Sequence, residues 1–434
     1  MTQFVRFSRS SESFSFETPD AVDTGNAFLP SVAIVPFRQH TGVEPRPTVT
    51  PGERVREGQL IARGSGIDSC NVHAPIPGIV KRFRTTPLPD GTMGQAAEIA
   101  LSGSFDILGR KEDRFLWQKI PASEVLKILE EKGIVNTFGI PSPLAAVLRH
   151  LRKERATSVV LQLFDPDPTC KVDSALAGVE LDGILVGTAI LAGALDAKNV
   201  FIVHEGPAPA ISPDNGEHFR GIAVRTLQSD GRYPSGLPEN LLALVRRQGD
   251  SRDDAPVLFV DPVTALAARD AVVRNEPMMT RYVHVSGPSI VTPSLLKARI
   301  GTTIGDIIEE CGGFSSAPSR IIVNGLVSGT ALYDLDTPIT KTTKSLHIMD
   351  SDTCPDYEVH PCIHCGSCLR VCPVMIDPMK VVTAIRKERF SKGIRESVDS
   401  CQSCGCCAIV CPSRIPLHHI IREARTRVPK GGKE

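Results

Sequence analysis

The sequence predicts a multidomain protein of the α/β plus β class, and three observations lead there. A long stretch in the middle of the chain alternates apolar strands with amphipathic helices. Shorter stretches on either side of it carry β runs punctuated by Pro and Gly. The last fifth holds two cysteine runs of the same spacing, followed by helical patterns. A chain of 434 residues has room for roughly two to four such units.

Composition narrows the function classes. Apolar residues make up 41% and charged residues 23%, as in an ordinary soluble globular protein. The formal net charge is zero, which argues against a broad nucleic-acid surface. The most apolar stretch, residues 183–195, is bounded by Asp182 and Asp196 and is shorter than the ~20 residues a membrane span needs. The first thirty residues are Ser-rich and acidic and lack the apolar core of a signal peptide. Membrane contact is therefore expected only through partners or surface charge. Of the 13 cysteines, those outside the two runs (Cys70, Cys170, Cys311, Cys354 and Cys406) form an odd, scattered set. That pattern fits a reducing cytoplasm.

Residues 1–30 read as an N-terminal tail. Phe alternates with polar residues there, so the segment is expected as a short strand or as a tail that docks late. Residues 31–107 read as a small barrel-sandwich. A strand at 31–37 is followed by short β runs around Pro51-Gly52, Gly58-Gln59, Ala74-Pro75 and Pro77-Gly78. The phrase resembles lipoyl and biotinyl domains, but the hairpin at 64–72 has no acceptor Lys, so no swinging arm is expected. His40 and His73 read as satisfied structural residues rather than ligands.

Residues 108–275 read as a Rossmann-like α/β layer. Helices are expected at 123–132 (capped at its start), 143–152, 174–197 and 264–273, with strands at 158–164, 199–204, 221–227 and 256–260. No G-x-G-x-x-G follows any strand. Residues 280–350 read as a β-grasp module of the SLBB type: strand 281–286, helix 307–311 stopped by Gly312-Gly313, strand 320–323 and a turn at Asn324-Gly325.

Residues 355–427 carry the strongest signal. Cys362-x2-Cys365-x2-Cys368-x3-Cys372-Pro373 and Cys401-x2-Cys404-x2-Cys407-x3-Cys411-Pro412 both have the spacing that holds a 4Fe–4S cluster. Three thiolates at steps of three wrap one face of the cubane, and the fourth reaches across to the other cluster. One cluster is thus expected on Cys362, Cys365, Cys368 and Cys411, the second on Cys401, Cys404, Cys407 and Cys372. Structural zinc favours paired Cys-x2-Cys with a longer gap, and disulfides need an oxidising compartment. Cys406 falls out of register and reads as a spare buried thiol. A helix is expected at 377–392, with Asp377 as N-cap, Pro378 at its first position and Gly393 ending it, and another at 417–427. His364, Ser367, Gln402 and Ser403 either hydrogen-bond cluster sulfur or are solvated loop residues. Residues 428–434 form a basic tail. With Arg414, Arg422 and Arg425 it either meets an acidic ferredoxin or an anionic membrane, or is a solvated end.

With all four units placed, the chain resembles the C subunit of Rnf complexes, the ion-translocating ferredoxin:NAD oxidoreductases. Besides the cysteine runs, the carriers include residues 36–42 (PFRQHTG), His73-Ala74-Pro75, Tyr233-Pro234-Ser235-Gly236, Ile300-Gly301-Thr302 and Pro338-Ile339-Thr340-Lys341. The resemblance implies a peripheral electron-transfer subunit on the cytoplasmic face of the inner membrane. Its implied partners are the other Rnf-type membrane subunits and ferredoxin, and its implied cofactors are FMN, NAD(H) and two 4Fe–4S clusters. The family's Gly-rich flavin loop is reduced here to Gly139 and Pro141, and its acidic stretch to Asp165, Asp167 and Asp173. A phosphate cradle needs backbone N–H groups free of Cβ crowding, so the loop chemistry argues against tight FMN and NADH binding. The expected role is electron wiring and docking. The alternatives are an FMN-containing, NADH-oxidising catalytic subunit and a soluble flavin or cobalamin reductase built from the same modules.

Overall fold

The computed structural model describes residues 2–17, 23–105, 116–209, 218–219, 221–248 and 255–427. The basic tail at 428–434 lies outside these residues.

The N-terminal segment is not a loose tail. Strands Thr2–Arg6 and Ser13–Glu17 pair as an antiparallel hairpin. Strand Asp23–Asn26 then joins a distant sheet in parallel with Ser294–Arg299. The physical reason is aromatic burial. Phe7 is completely buried and meets Phe14 at 5.4 Å between ring centroids, and Phe14 meets the Tyr233 ring edge-on at 6.0 Å.

The next unit is a pair of small sheets. One contains Val32–Pro36, Met93–Leu101, Gly78–Pro87 and Arg54–Val55, the other Arg46–Pro47, Leu60–Arg63 and Val72–His73. Their inner faces bury Val35, Phe37, Ile61, Ile76, Val80 and Ile99, as alternation on a half-buried strand requires. His73 is buried here and held neutral, its pKa pushed down to about 3 by burial and by nearby Lys341.

The middle unit is a four-stranded parallel sheet in the order Ala223–Gln228, Asn199–His204, Ser158–Gln162, Val257–Val260. Every residue of Ser158–Gln162 is buried, as a parallel strand covered on both faces requires, with Val159, Val160 and Leu161 apolar between Ser158 and Gln162. Two expectations change. The long helix at 174–197 is two helices, Val172–Val179 and Leu181–Leu195, bent by 102°. The break falls at Glu180, whose carboxylate reaches Arg269 at 3.5 Å while the second helix turns its apolar surface inward. The helix expected at 123–132 is Ala122–Glu131 and has no side-chain cap, because Pro121 occupies the cap position. Among the described residues, no single helix is long and apolar enough to cross a membrane.

The next sheet has six strands in the order Thr330–Leu332, Arg320–Val323, Ser345–Met349, Thr280–Ser286, Ser294–Arg299, Asp23–Asn26. Its helix, Ile304–Glu310, starts earlier than the expected 307 because Thr303 and Asp306 form a reciprocal capping box. The C-terminal unit is helical, with Ser367–Val371, Pro378–Arg386, Lys392–Ser400, Cys406–Ile409 and Leu417–Arg427. Asp377 caps its helix as expected, accepting from the Lys380 N–H at 3.0 Å. That helix ends at Arg386, and Gly393 sits in the first turn of the next helix rather than ending the previous one.

Candidate metal centre

The two cysteine runs build the same backbone twice. His364 and Ser403 both take left-handed φ (56° and 54°), as do Gly366 and Gly405 (75° and 74°) and Met375 and Arg414 (57° and 55°). In each loop the left-handed residue turns its N–H back toward the cysteine two positions earlier: His364 donates to Cys362 Sγ and Ser403 to Cys401 Sγ, both at 3.4 Å. N–H groups aimed at sulfur favour the thiolate, the form that ligates metal. A short helix follows each loop, and its end delivers the fourth cysteine.

That fourth cysteine crosses over. Cys362, Cys365, Cys368 and Cys411 line one open cavity of about 720 Å³, with Cys411 coming from the second run. Burial raises the Cys368 pKa, and Cys365 and Cys411 lie close enough to raise it further. The other set is deeper. Burial pushes the Cys407 thiol well up, with Cys404, Cys401 and Cys372 adding to the shift. Cys372 is raised by burial and then by Cys404 and Cys401. The two sets also differ in exposure: Cys365 is exposed and Cys362, Cys368 and Cys411 are half-buried, whereas Cys372, Cys401, Cys404 and Cys407 are all buried. Among the described residues no three His, Cys, Asp or Glu side chains close on a single metal ion; in each set four cysteines neighbour one another, the donor set that a cluster with four thiolate corners takes.

The side chains expected to tune sulfur divide. Ser367 lowers the Cys365 pKa through its N–H and hydroxyl. His364 and Ser403 act through the backbone. Gln402 lies 3.5 Å from Asn240 Nδ2, from which it accepts. Cys406 is fully buried and donates to the Cys404 sulfur.

The inner set rests on a surface made by the rest of the chain. Phe7, Tyr233, Val327, Val371, Cys404 and Cys406 form one apolar cluster. The Tyr233 hydroxyl donates to the Cys404 carbonyl at 2.6 Å, and Arg370 of the outer loop pairs with Glu12 of the hairpin at 3.1 Å. Sequence reading did not assign Phe7, Tyr233 or Val327 to this site. Only the Phe/polar alternation and the Tyr233-Pro234 phrase hinted at them.

The residues expected at a flavin or nicotinamide site have partners within the protein. Asp165 accepts from the Val172, Asp173 and Ser174 N–H groups and so caps a helix. Asp167 accepts from Thr169, Val327 and Ser328 N–H groups. Asp173 is paired with Lys344 at 2.6 Å, and Lys344 also reaches Asp261 at 2.7 Å. In the loop containing Gly139, Asn136 donates to the Phe259 carbonyl and Thr137 to Asp261, while Gly139 and Ile140 are exposed. Of these four residues only Asp165 borders the small cavity at Gln3, Lys171, Glu205 and Tyr233.

Residues 18–103 match the RnfC barrel sandwich hybrid domain, residues 282–331 the SLBB domain, and residues 358–415 the 4Fe-4S dicluster domain. The C subunit of the proton-translocating ferredoxin:NAD(+) oxidoreductase complex of Clostridium ljungdahlii is 28% identical over 372 residues, 85% of this chain and 81% of that protein. Its counterpart in the Na(+)-translocating ferredoxin:NAD(+) oxidoreductase complex of Acetobacterium woodii is 25% identical over 389 residues, covering 87% and 86%. The corresponding C subunit of the ion-translocating oxidoreductase complex of Rhodobacter capsulatus is 29% identical over 361 residues, covering 81% and 69%. A chain of an NAD+-reducing nickel–iron hydrogenase shares the fold, with a TM-score of 0.50 at 12% identity over 74% of this chain and 67% of that one. With three domain matches and relatives of one kind, the chain is similar along most of its length to the C subunits of Rnf-type ion-translocating oxidoreductase complexes.

Proposed function

We propose that this chain is the peripheral electron-transfer subunit of a membrane-bound Rnf-type complex. It passes single electrons between a soluble donor or acceptor, ferredoxin or NAD(H), and membrane subunits on the cytoplasmic face. Two 4Fe–4S clusters supply the one-electron couples when bound. Cys362, Cys365, Cys368 and Cys411 hold the outer cluster, and Cys401, Cys404, Cys407 and Cys372 the inner one. The observation that carries this reading is the crossover: Cys411 lines the cavity of the first run. The boundaries 31–107, 108–275, 280–350 and 355–427, with a Rossmann-like second unit and a β-grasp third, belong to the same reading.

The chain's own residues set the direction of contact. Around the outer set, Ile363 and Leu369 are exposed apolar side chains. Lys380, Lys387 and Arg389 line the same cavity. An apolar centre with a basic rim suits a transient acidic redox partner. The inner set is screened from water by the apolar packing around Phe7 and Val371.

Anaerobically prepared protein should hold about eight irons and take up about two electrons per chain. Cys411→Ala should cost the outer cluster and Cys372→Ala the inner one. Electron paramagnetic resonance of each reduced variant should retain the signal of the opposite cluster. If Cys411→Ala instead removed the same signal as Cys404→Ala, the crossed ligation would fail.

A further inference from the structure

In open α/β sheets, ligands bind outside the carboxyl ends of the strands, above all where the strand order reverses. In this chain that edge is filled from within. The order reverses between Ser158–Gln162 and Val257–Val260. There Lys344, from the neighbouring six-stranded sheet, stands between Asp173 and Asp261, and Thr137 closes onto Asp261 at 2.7 Å. Over the ends of the other strands lies the N-terminal hairpin. The Tyr233 N–H donates to the Arg6 carbonyl at 2.9 Å, and the Ser8 N–H donates to the Tyr233 carbonyl at 2.8 Å. Gln3 accepts from Lys171 at 3.4 Å. The cavity left between hairpin and sheet edge, bordered by Gln3, Val5, Pro166, Lys171, Glu205 and Tyr233, measures about 150 Å³. Pockets for drug-sized ligands begin near ~300 Å³.

We propose that the hairpin Thr2–Glu17 is the resident occupant of this crevice and takes the place a flavin would need. The chain then carries neither FMN nor a nicotinamide nucleotide at the sheet edge, and of the two soluble partners in the proposed function this leaves ferredoxin. The α/β layer meets the inner cysteine set through Phe7 and Tyr233 instead. Two features follow from one arrangement. The loop around Gly139 needs no phosphate-cradling glycines, because side chains of Asn136 and Thr137 fasten it to the sheet end. The three aspartates are free to serve as caps and ion-pair partners. The inference deepens the proposed function and rests on it only for the presence of cysteine-held clusters beside Tyr233.

The test uses the full chain with its clusters reconstituted anaerobically. Added FMN should pass through on ultrafiltration, with less than about one-tenth of an equivalent retained. NADH should leave the visible cluster absorbance unchanged, while dithionite bleaches it. Hydrogen–deuterium exchange at residues 229–235 should be slow in the parent and about tenfold faster in Phe7→Ser, whose hairpin is loosened. Retention of about one FMN per chain, bleaching by NADH, or exchange at 229–235 unchanged by Phe7→Ser would overturn the proposal. Failure of dithionite to bleach would instead count against the electron-transfer reading, and the FMN result would still stand by itself.

Discussion

Asp173 and Asp261 share one ammonium group, yet the structure pushes their acidities apart. Burial drives Asp173 up to about 7, the nearby Asp261 carboxylate assists, and Lys344 only partly offsets the rise. For Asp261, burial acts upward, but Lys344 and Arg281 outweigh it and hold the carboxyl below its ordinary range. The two groups thus act on stability in opposite senses. Asp173 keeps a proton in the native chain that the unfolded chain releases above pH ~4. Its contribution is therefore complete below pH ~4 and is lost as pH rises through about 7. Asp261 contributes above pH ~4 and loses that contribution on acidification. Asp173→Asn removes the first effect. Its thermal midpoint relative to the parent should climb between pH 5 and pH 8, read by circular dichroism at matched ionic strength. A constant offset across that range would show that ionised Asp173 is not a native-state burden. None of this was legible in the sequence, because Lys344 lies 171 positions from Asp173 and 83 from Asp261. The cysteines were legible because cluster ligation is written in local steps of three.

At the scale of elements, the repeated cysteine loop shows how one local design answers two environments. A Cβ at Gly405 would lie 2.6 Å from the Val327 carbonyl, whereas at Gly366 the nearest atom is the end of the Arg370 side chain at 3.8 Å. Both positions have positive φ, so Gly→Ala at either costs about 1–2 kcal/mol from backbone conformation. Gly405→Ala adds a collision with fixed backbone. Chemical denaturation should show it clearly more destabilised than Gly366→Ala, with the inner cluster lost first. Equal losses would show that φ alone decides. Helix starts set by neighbours in sequence were readable in advance, such as the one capped by Asp377, whereas the far end of that helix was not. The bend at Glu180 was not, because it depends on Arg269 from a later helix and on which face the core accepts. The N-terminal hairpin was ambiguous for the same reason: its alternation was visible, but the surface that buries Phe7 belongs to Tyr233, Val327 and Val371.

Across the whole molecule, the order of units could be read along the chain, and their contacts could not. The cysteine-bearing unit leans on three others through one apolar cluster: the hairpin through Phe7, the α/β layer through Tyr233 and the six-stranded sheet's loop through Val327. A fragment of residues 355–427 would uncover Val371, Cys404 and Cys406. Its inner cluster should bleach several-fold faster in air than in the full chain, followed by visible absorbance. Equal decay would show that the fragment carries its own protection.

Asp23–Asn26 completes the edge of the six-stranded sheet by pairing with Ser294–Arg299. As the polypeptide leaves the ribosome, that strand emerges long before any part of the ladder it will join. Closing so long a loop is entropically slow, and contacts of high sequence separation delay folding. The first strand of that sheet to be synthesised must wait until the two intervening units have been made before its neighbour exists.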